Sequence, residues 1–219
     1  YSVYCMDLRN HGMSEHSDEF SIALMARDVI ETLDDLRLRS AHVLGHSMGG
    51  KVAMELALHY PDRLRSLLVI DIGPQYYPPH HHQIIKGLEA VKPEELRSRK
   101  EADERLSNYV GQAEVRQFLL KNLTRESESE PFRFRFNLEQ IAANINEVGK
   151  ALPEGIVQVP TLFYHGEKSD YLKPETYAEI SAQFIASEFK IMPGAGHWLH
   201  AEQPPAFIAT VTQWLSRFR

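Results

Sequence analysis

The chain has 219 residues, 43% of them hydrophobic and 25% charged, the composition of an ordinary globular protein with room for one core and an inserted subdomain. A formal charge of −6 excludes a basic nucleic-acid surface and a polybasic membrane patch, and no apolar run approaches the roughly 20 residues needed to cross a bilayer. The single cysteine, Cys5, excludes an intrachain disulfide and fits a reducing, cytoplasmic compartment.

Val3 to Met6 reads as a short buried strand ending at Asp7, followed by the turn-rich loop Asp7-Leu8-Arg9-Asn10-His11-Gly12-Met13-Ser14. From Ser21, a plausible N-cap, apolar residues recur at Ile22, Met25, Val29, Ile30, Leu33 and Leu36, which predicts a helix. The apolar run Ala41 to Leu44 predicts a strand, and a helical pattern from Lys51 to Tyr60 follows it. Between them stands Gly45-His46-Ser47-Met48-Gly49-Gly50, a Gly-x-Ser-x-Gly nucleophile elbow in its required context of strand, sharp turn and helix. Gly45 and Gly49 are expected to remove side chains that would collide in that turn. Leu67 to Ile70 is the next apolar strand, closed by Asp71-Ile72-Gly73-Pro74. Strands alternating with helices, each strand apolar throughout, imply a parallel sheet covered on both faces.

The pattern changes after Pro74. Residues 74–150 carry polar helices and charge-rich stretches but no buried-type strand, and they read as a helical lid inserted into an α/β core formed by 1–73 and 151–219. Within this block Phe132-Arg133-Phe134-Arg135-Phe136 alternates at period two, so the aromatic side chains should pack while the arginines face outward. The core resumes with the strand Thr161 to Tyr164, a helix after Pro174, a strand from Glu188 to Met192, and the loop Pro193-Gly194-Ala195-Gly196-His197-Trp198 before a last helix.

A serine hydroxyl needs a base within hydrogen-bonding reach to act as a nucleophile. Ser47 is the candidate nucleophile, and His197, in a Gly-rich loop after the last strand, is the best placed of eleven histidines to serve it. The acid that orients the imidazole is either Asp71, directly after the strand that follows the elbow helix, or Asp170, after the later strand. The Met48 backbone N–H, just after the nucleophile, is the expected oxyanion donor. His46 and Trp198, flanking the two key residues, are assigned to the substrate pocket, whereas His200 reads as helix surface. The run His80-His81-His82 lacks accompanying ligands and reads as a solvated loop, so neither a metal nor a cofactor is expected.

The elbow, Asp7-Leu8-Arg9-Asn10-His11-Gly12-x-Ser14 and Gly194-Ala195-Gly196-His197-Trp198 together resemble the α/β-hydrolase fold, and more narrowly the YbfF-type bacterial esterases and acyl-CoA thioesterases. The likeness runs the length of the chain and is weakest through the lid. It implies a serine hydrolase acting on a small-molecule acyl ester or acyl-CoA. For the aromatic stretch two readings stand: Phe132, Phe134 and Phe136 help wall the acyl pocket with Arg133 and Arg135 meeting CoA phosphates, or the stretch is a solvated edge strand with ordinary surface charges. In most such hydrolases the acid lies three residues after the glycine matching Gly166, where this chain has Ser169. The YbfF-type branch shows Gly-x-x-Ser-x-Tyr there, matched by Gly166, Ser169 and Tyr171, and takes its acid from the position of Asp71. Asp170 stands as the alternative, because some related hydrolases use an Asp after that Ser. The same triad can serve perhydrolysis or carbon–carbon bond hydrolysis, and some relatives are ligand-binding receptors that retain the site.

The resemblance also implies that Val3–Met6 matches the fourth strand of the family fold. The first three strands and a His-Gly oxyanion loop are then expected in a preceding segment. Without them, neighbouring strands would leave N–H and C=O groups unpaired, at roughly 1–3 kcal/mol for each buried group.

Overall fold

A computed structural model describes residues 1–79 and 81–218. The chain forms two compact units, one from Tyr1–Ser21 with Pro78–Glu147, the other from Ile22–Tyr77 with the chain from Val148 onward.

The second unit is a parallel sheet flanked by helices. Its strands are β1 (Ala41–His46), β2 (Leu64–Ile70), β5 (Thr161–Gly166) and β6 (Ser187–Met192), in the order β1-β2-β5-β6. All three pairings are parallel, and His46 lies opposite Ile70 and Ile70 opposite Tyr164. The C-terminal ends of all four strands therefore meet along one edge. Burial follows position in the sheet. Every residue of central β5 is buried, and only Arg65 of β2 is exposed. Edge strand β6 alternates, with Glu188 and Lys190 in solvent, so the expectation of four uniformly apolar strands holds only for the centre.

Helices cover this sheet according to their apolar faces. In α1 (Ile22–Asp35) the buried residues are Ile22, Met25, Ala26 and Leu33, and the helix ends where Arg37 turns to a φ of 56°. In α2 (Met48–His59) every residue from Gly50 to Ala57 is buried, as suits a helix wedged against both β1 and α1. Helix α10 (Pro204–Leu215) has Pro at its first turn, where no N–H is needed. It lays Phe207, Val211, Trp214 and Leu215 on a cluster formed by Leu68, Ile70, Leu162, Tyr164, Met192 and Leu199. The shorter α8 (Tyr177–Gln183) and α9 (Leu199–Glu202) complete the unit.

The first unit holds α3 (His82–Val91), α4 (Arg99–Ser107), α5 (Ala113–Leu120), α6 (Leu138–Ala143), α7 (Ile145–Val148) and a two-stranded antiparallel ribbon, β3 (Leu123–Thr124) with β4 (Arg133–Phe134). Its core is Val91, Leu96, Ala102, Leu106, Val110, Leu120, Leu123 and Phe132. Arginine stems staple it: the Arg99 guanidinium donates to the carbonyls of Leu120 and Leu123, and Arg116 to Asp103, Val110 and Gly111. Phe132 and Phe136 are buried and Phe134 half-buried, with Arg133 and Arg135 exposed, as the period-two alternation predicts. Arg133 is paired with Glu126. His81 and His82 lie at the start of α3, and His80 lies outside the described residues.

Two expectations fail in the N-terminal stretch. Val3–Met6 forms no strand, and Val3 and Tyr4 are 79% and 61% exposed. An apolar run fixes no strand by itself, because a strand is made by the ladder bonds of its neighbours and none pairs with this one among the described residues. Nor does the stretch group with the core. Asn137 N–H donates to the Asn10 carbonyl at 2.8 Å and Asn137 Nδ2 to Asn10 Oδ1 at 3.1 Å, which ties the polar turn to residues 78–147.

Candidate active site

Strand β1 hands the chain to α2 through Ser47, whose φ of 53° and ψ of −120° no ordinary residue adopts without strain. Neighbours hold it there. Ser47 N–H donates to the Ile70 carbonyl at 3.0 Å, and the Ser47 carbonyl accepts from Gly50 and Lys51 N–H. A Cβ on Gly45 would stand 2.0 Å from the Gly49 carbonyl oxygen, and one on Gly50 would stand 2.5 Å from Ile72. A Cβ on Gly49 would meet nothing within 4 Å, so the collision expected at Gly49 falls on Gly50. Met48, the first residue of α2, has an N–H without an intrahelical acceptor, at the end of the helix that favours negative charge.

One strand over, β2 ends and Asp71 also adopts a positive φ, 55°. Its carboxylate is wholly buried and accepts three hydrogen bonds: Gly166 N–H at 3.0 Å on Oδ1, and Ser169 Oγ at 2.5 Å and His197 Nδ1 at 2.6 Å on Oδ2. The last bond places the imidazole proton on Nδ1 and leaves Nε2 as an acceptor.

The loop bearing His197 is pinned from several directions. Glu167 accepts from Gly194 N–H at 2.7 Å, Glu202 accepts from Gly196 N–H at 2.9 Å, and Gln203 donates to the Pro193 carbonyl at 2.8 Å. The imidazole has the Tyr171 ring stacked on it at 4.2 Å and the His46 ring at 4.6 Å. Burial, and then the neighbouring His197, push His46 down to about 4, so it is neutral near pH 7 and donates Nε2–H to the His197 carbonyl at 2.9 Å. Burial is likewise the first cause of the lowered His200 value, with His197 second.

An elbow serine, a buried aspartate and a histidine bound to it at the C-terminal edge of a parallel sheet match a known pattern, and the sequence comparison agrees. The profile described as "Alpha/beta hydrolase family" matches residues 1–211. The chain belongs to the alpha/beta hydrolase family. It is 38% identical over 222 residues to the sn-1-specific diacylglycerol lipase ABHD11 of Mus musculus, across 98% of this chain and 71% of that protein. It is 30% identical over 217 residues to esterase YbfF of Escherichia coli (strain K12), across 99% of this chain and 83% of that protein. Among solved structures, a marine microorganism esterase superposes with a TM-score of 0.90 at 38% identity, covering 94% of this chain and 82% of that one. The likeness to YbfF-type esterases read from the motifs is thus found in the whole alignment.

Asp170, Trp198 and His200 of this alpha/beta hydrolase lie apart from the cluster or at its margin. Asp170 is directed to solvent, its side chain 91% exposed, and Lys173 at 2.8 Å holds its carboxyl below the usual range. Trp198 is half-buried beside His197, with ring centroids 6.3 Å apart. His200, expected on the helix surface, is half-buried with its ring 4.6 Å from His46. Phe132, Phe134 and Phe136 belong to the other compact unit. Among the described residues, no group of three or more His, Cys, Asp or Glu is placed to hold a metal ion, and no helix is long and apolar enough to cross a membrane.

Sequence reasoning passed over two residues of this hydrolase. Lys51 is 1% exposed and donates to the carbonyls of Pro74 and Gln75 at 3.2 and 2.6 Å. The Tyr77 hydroxyl accepts from Gly73 N–H at 2.9 Å and donates to the Tyr171 carbonyl at 2.5 Å. A lysine directly before the mainly apolar run Val52–Ala57 of α2 was the available signal for the first.

Proposed function

We propose that the protein is a serine hydrolase that cleaves carboxylic esters, and acyl-CoA thioesters by the same chemistry, through an acyl-enzyme intermediate. The observation that carries this reading is the 2.6 Å bond from His197 Nδ1 to buried Asp71, made beside the Ser47 elbow. In the mechanism, His197 Nε2 takes the Ser47 proton as Oγ bonds to the substrate carbonyl carbon. The carbonyl oxygen becomes an oxyanion facing Met48 N–H, and Asp71 stabilises the imidazolium across the Nδ1 bond. Collapse of the intermediate breaks the bond to the leaving alcohol or thiol, which receives the proton from His197. Water, deprotonated by His197, then attacks the acyl-serine, and the acid product and free Ser47 are restored.

The relatives support an ester substrate: one is named an esterase, and the mouse relative an sn-1-specific diacylglycerol lipase. No cofactor enters any step. A single free cysteine, Cys5, accords with a cytoplasmic setting for such an enzyme. The test is a fluorophosphonate probe with a panel of aryl esters, acylglycerols and acyl-CoA thioesters. The expected result is stoichiometric labelling at Ser47 and ester turnover, both lost in Ser47→Ala. Ester turnover that survives Ser47→Ala undiminished overturns the reading.

A further inference from the structure

Lys51 and Tyr77 are chemically out of place. An ammonium group with 1% exposure has no carboxylate partner among the described residues, only two backbone carbonyls and the face of the Tyr77 ring at 4.9 Å. Burial alone draws its pKa down to about 7. Methionine or leucine would fill that helix face without the desolvation cost of a charge. What lysine adds is a set of directed donors, and they tie α2, which carries Ser47 at its head, to the turn that follows Asp71.

Tyr77 continues the connection. Its hydroxyl joins Gly73, two residues after Asp71, to Tyr171, two residues after the Ser169 that bonds Asp71. The Tyr171 ring in turn lies on the His197 imidazole at 4.2 Å with 28° between planes. Serine helix, acid loop and histidine stack are thereby linked through two side chains that touch none of the reacting atoms.

We propose that Lys51 and Tyr77 are positioning residues of the hydrolase: Lys51 fixes the turn at Pro74–Gln75, and the Tyr77 hydroxyl holds Tyr171 against His197. This inference rests on the serine-hydrolase reading. The imidazole must keep Nδ1 on Asp71 while Nε2 serves Ser47, so a stacked ring that limits its tilt acts on the chemical step and not on substrate binding.

The decisive variant is Tyr77→Phe, which removes only the hydroxyl and keeps the ring under Lys51. The expected result is a kcat lowered about tenfold with KM unchanged within about twofold, in keeping with a small misplacement of a catalytic group. Lys51→Met should lower kcat in the same way. A Tyr77→Phe enzyme with unchanged kcat, or with a raised KM accounting for the whole loss, overturns the proposal. Ser47→Ala run alongside separates the two readings. If it abolishes turnover while Tyr77→Phe behaves as wild type, only the positioning role fails; if it leaves turnover intact, the underlying reading fails.

Discussion

His46 Nε2 donates a 2.9 Å hydrogen bond to the carbonyl of His197, joining the residue before the elbow serine to the backbone of the histidine 151 positions later. The bond asks only that Nε2 carry a proton, and burial keeps the ring neutral by depressing its pKa to about 4. His46→Phe keeps a ring of similar size and removes the donor. We expect kcat to fall by roughly tenfold, the worth of one hydrogen bond.

The same residue makes a linkage prediction. A histidine at about 4 in the folded chain and 6.5 when unfolded binds more protons unfolded in the interval between. Stability from this group is therefore complete above pH 6.5 and is lost as pH falls toward 4, by up to about 3 kcal/mol. Half-buried His11 and His200 and buried His165 are lowered as well, so the wild type loses stability for several reasons over this range. Melting curves of wild type and His46→Phe between pH 7 and pH 4 isolate the contribution: the variant should show the shallower decline.

Two aspartates competed in the sequence for one role, and the structure brings only Asp71 to His197. Asp71→Asn keeps the shape but replaces an acceptor with a donor, and the rate should fall by around 10⁴. Ser169→Ala removes one of three donors to Asp71 and should cost about tenfold. Asp170→Asn should leave kcat within about twofold, since its partner among the described residues is Lys173 at the surface. Steady-state kinetics on one ester compares all three, and a crippled Asp170→Asn enzyme would contradict the assignment.

The elbow, the periodicity of α1 and the central strands were legible because each is a local pattern. Gly-x-Ser-x-Gly needs only its flanks, and the runs Leu67–Ile70 of β2 and Leu162–Tyr164 of β5 are apolar because both of their faces are covered. What resisted reading was set by contacts distant in the chain. Asp71 and Asp170 are both loop carboxylates following a strand, and burial, invisible in the sequence, separates them. Tyr77 gains its meaning from Tyr171, 94 residues away. Val3–Met6 has the composition of a strand but, among the described residues, no ladder to join.

The elbow glycines give a prediction in which neighbouring residues behave oppositely. Gly45→Ala would drive a Cβ into the Gly49 carbonyl, a backbone atom that cannot step aside, and should unfold the elbow. Gly50→Ala meets Ile72 at 2.5 Å and should lower the melting temperature. Gly49→Ala meets nothing within 4 Å and improves helix propensity by up to about 1 kcal/mol, so it should be neutral or stabilising. Thermal unfolding of the three variants checks the order, and a Gly49→Ala protein less stable than Gly50→Ala would refute it.

Lys51 separates stability from activity. Its pKa is about 7 folded and 10.5 unfolded, so between those values the unfolded chain holds the extra proton. Stability from this group therefore rises with pH from about 7 to 10.5, and at pH 7 and below the folded protein bears the full cost of the buried charge. Lys51→Met removes that cost and takes the Lys51 donor from the Gln75 carbonyl and from the Pro74 carbonyl, which keeps its bond from Leu152 N–H. Replacing a buried charge by an apolar side chain of similar volume is often worth about 1–4 kcal/mol, which exceeds the loss of two neutral hydrogen bonds at about 1 kcal/mol each only when the charge is present. The variant should thus be at its best relative to wild type at pH 6–7 and lose that standing steadily toward pH 10, while its kcat stays below wild type throughout. Paired melting curves and ester kinetics across this range test both halves. A difference in melting temperature that does not change with pH would mean that Lys51 holds its proton in the folded protein just as it does unfolded, and that burial does not lower its pKa.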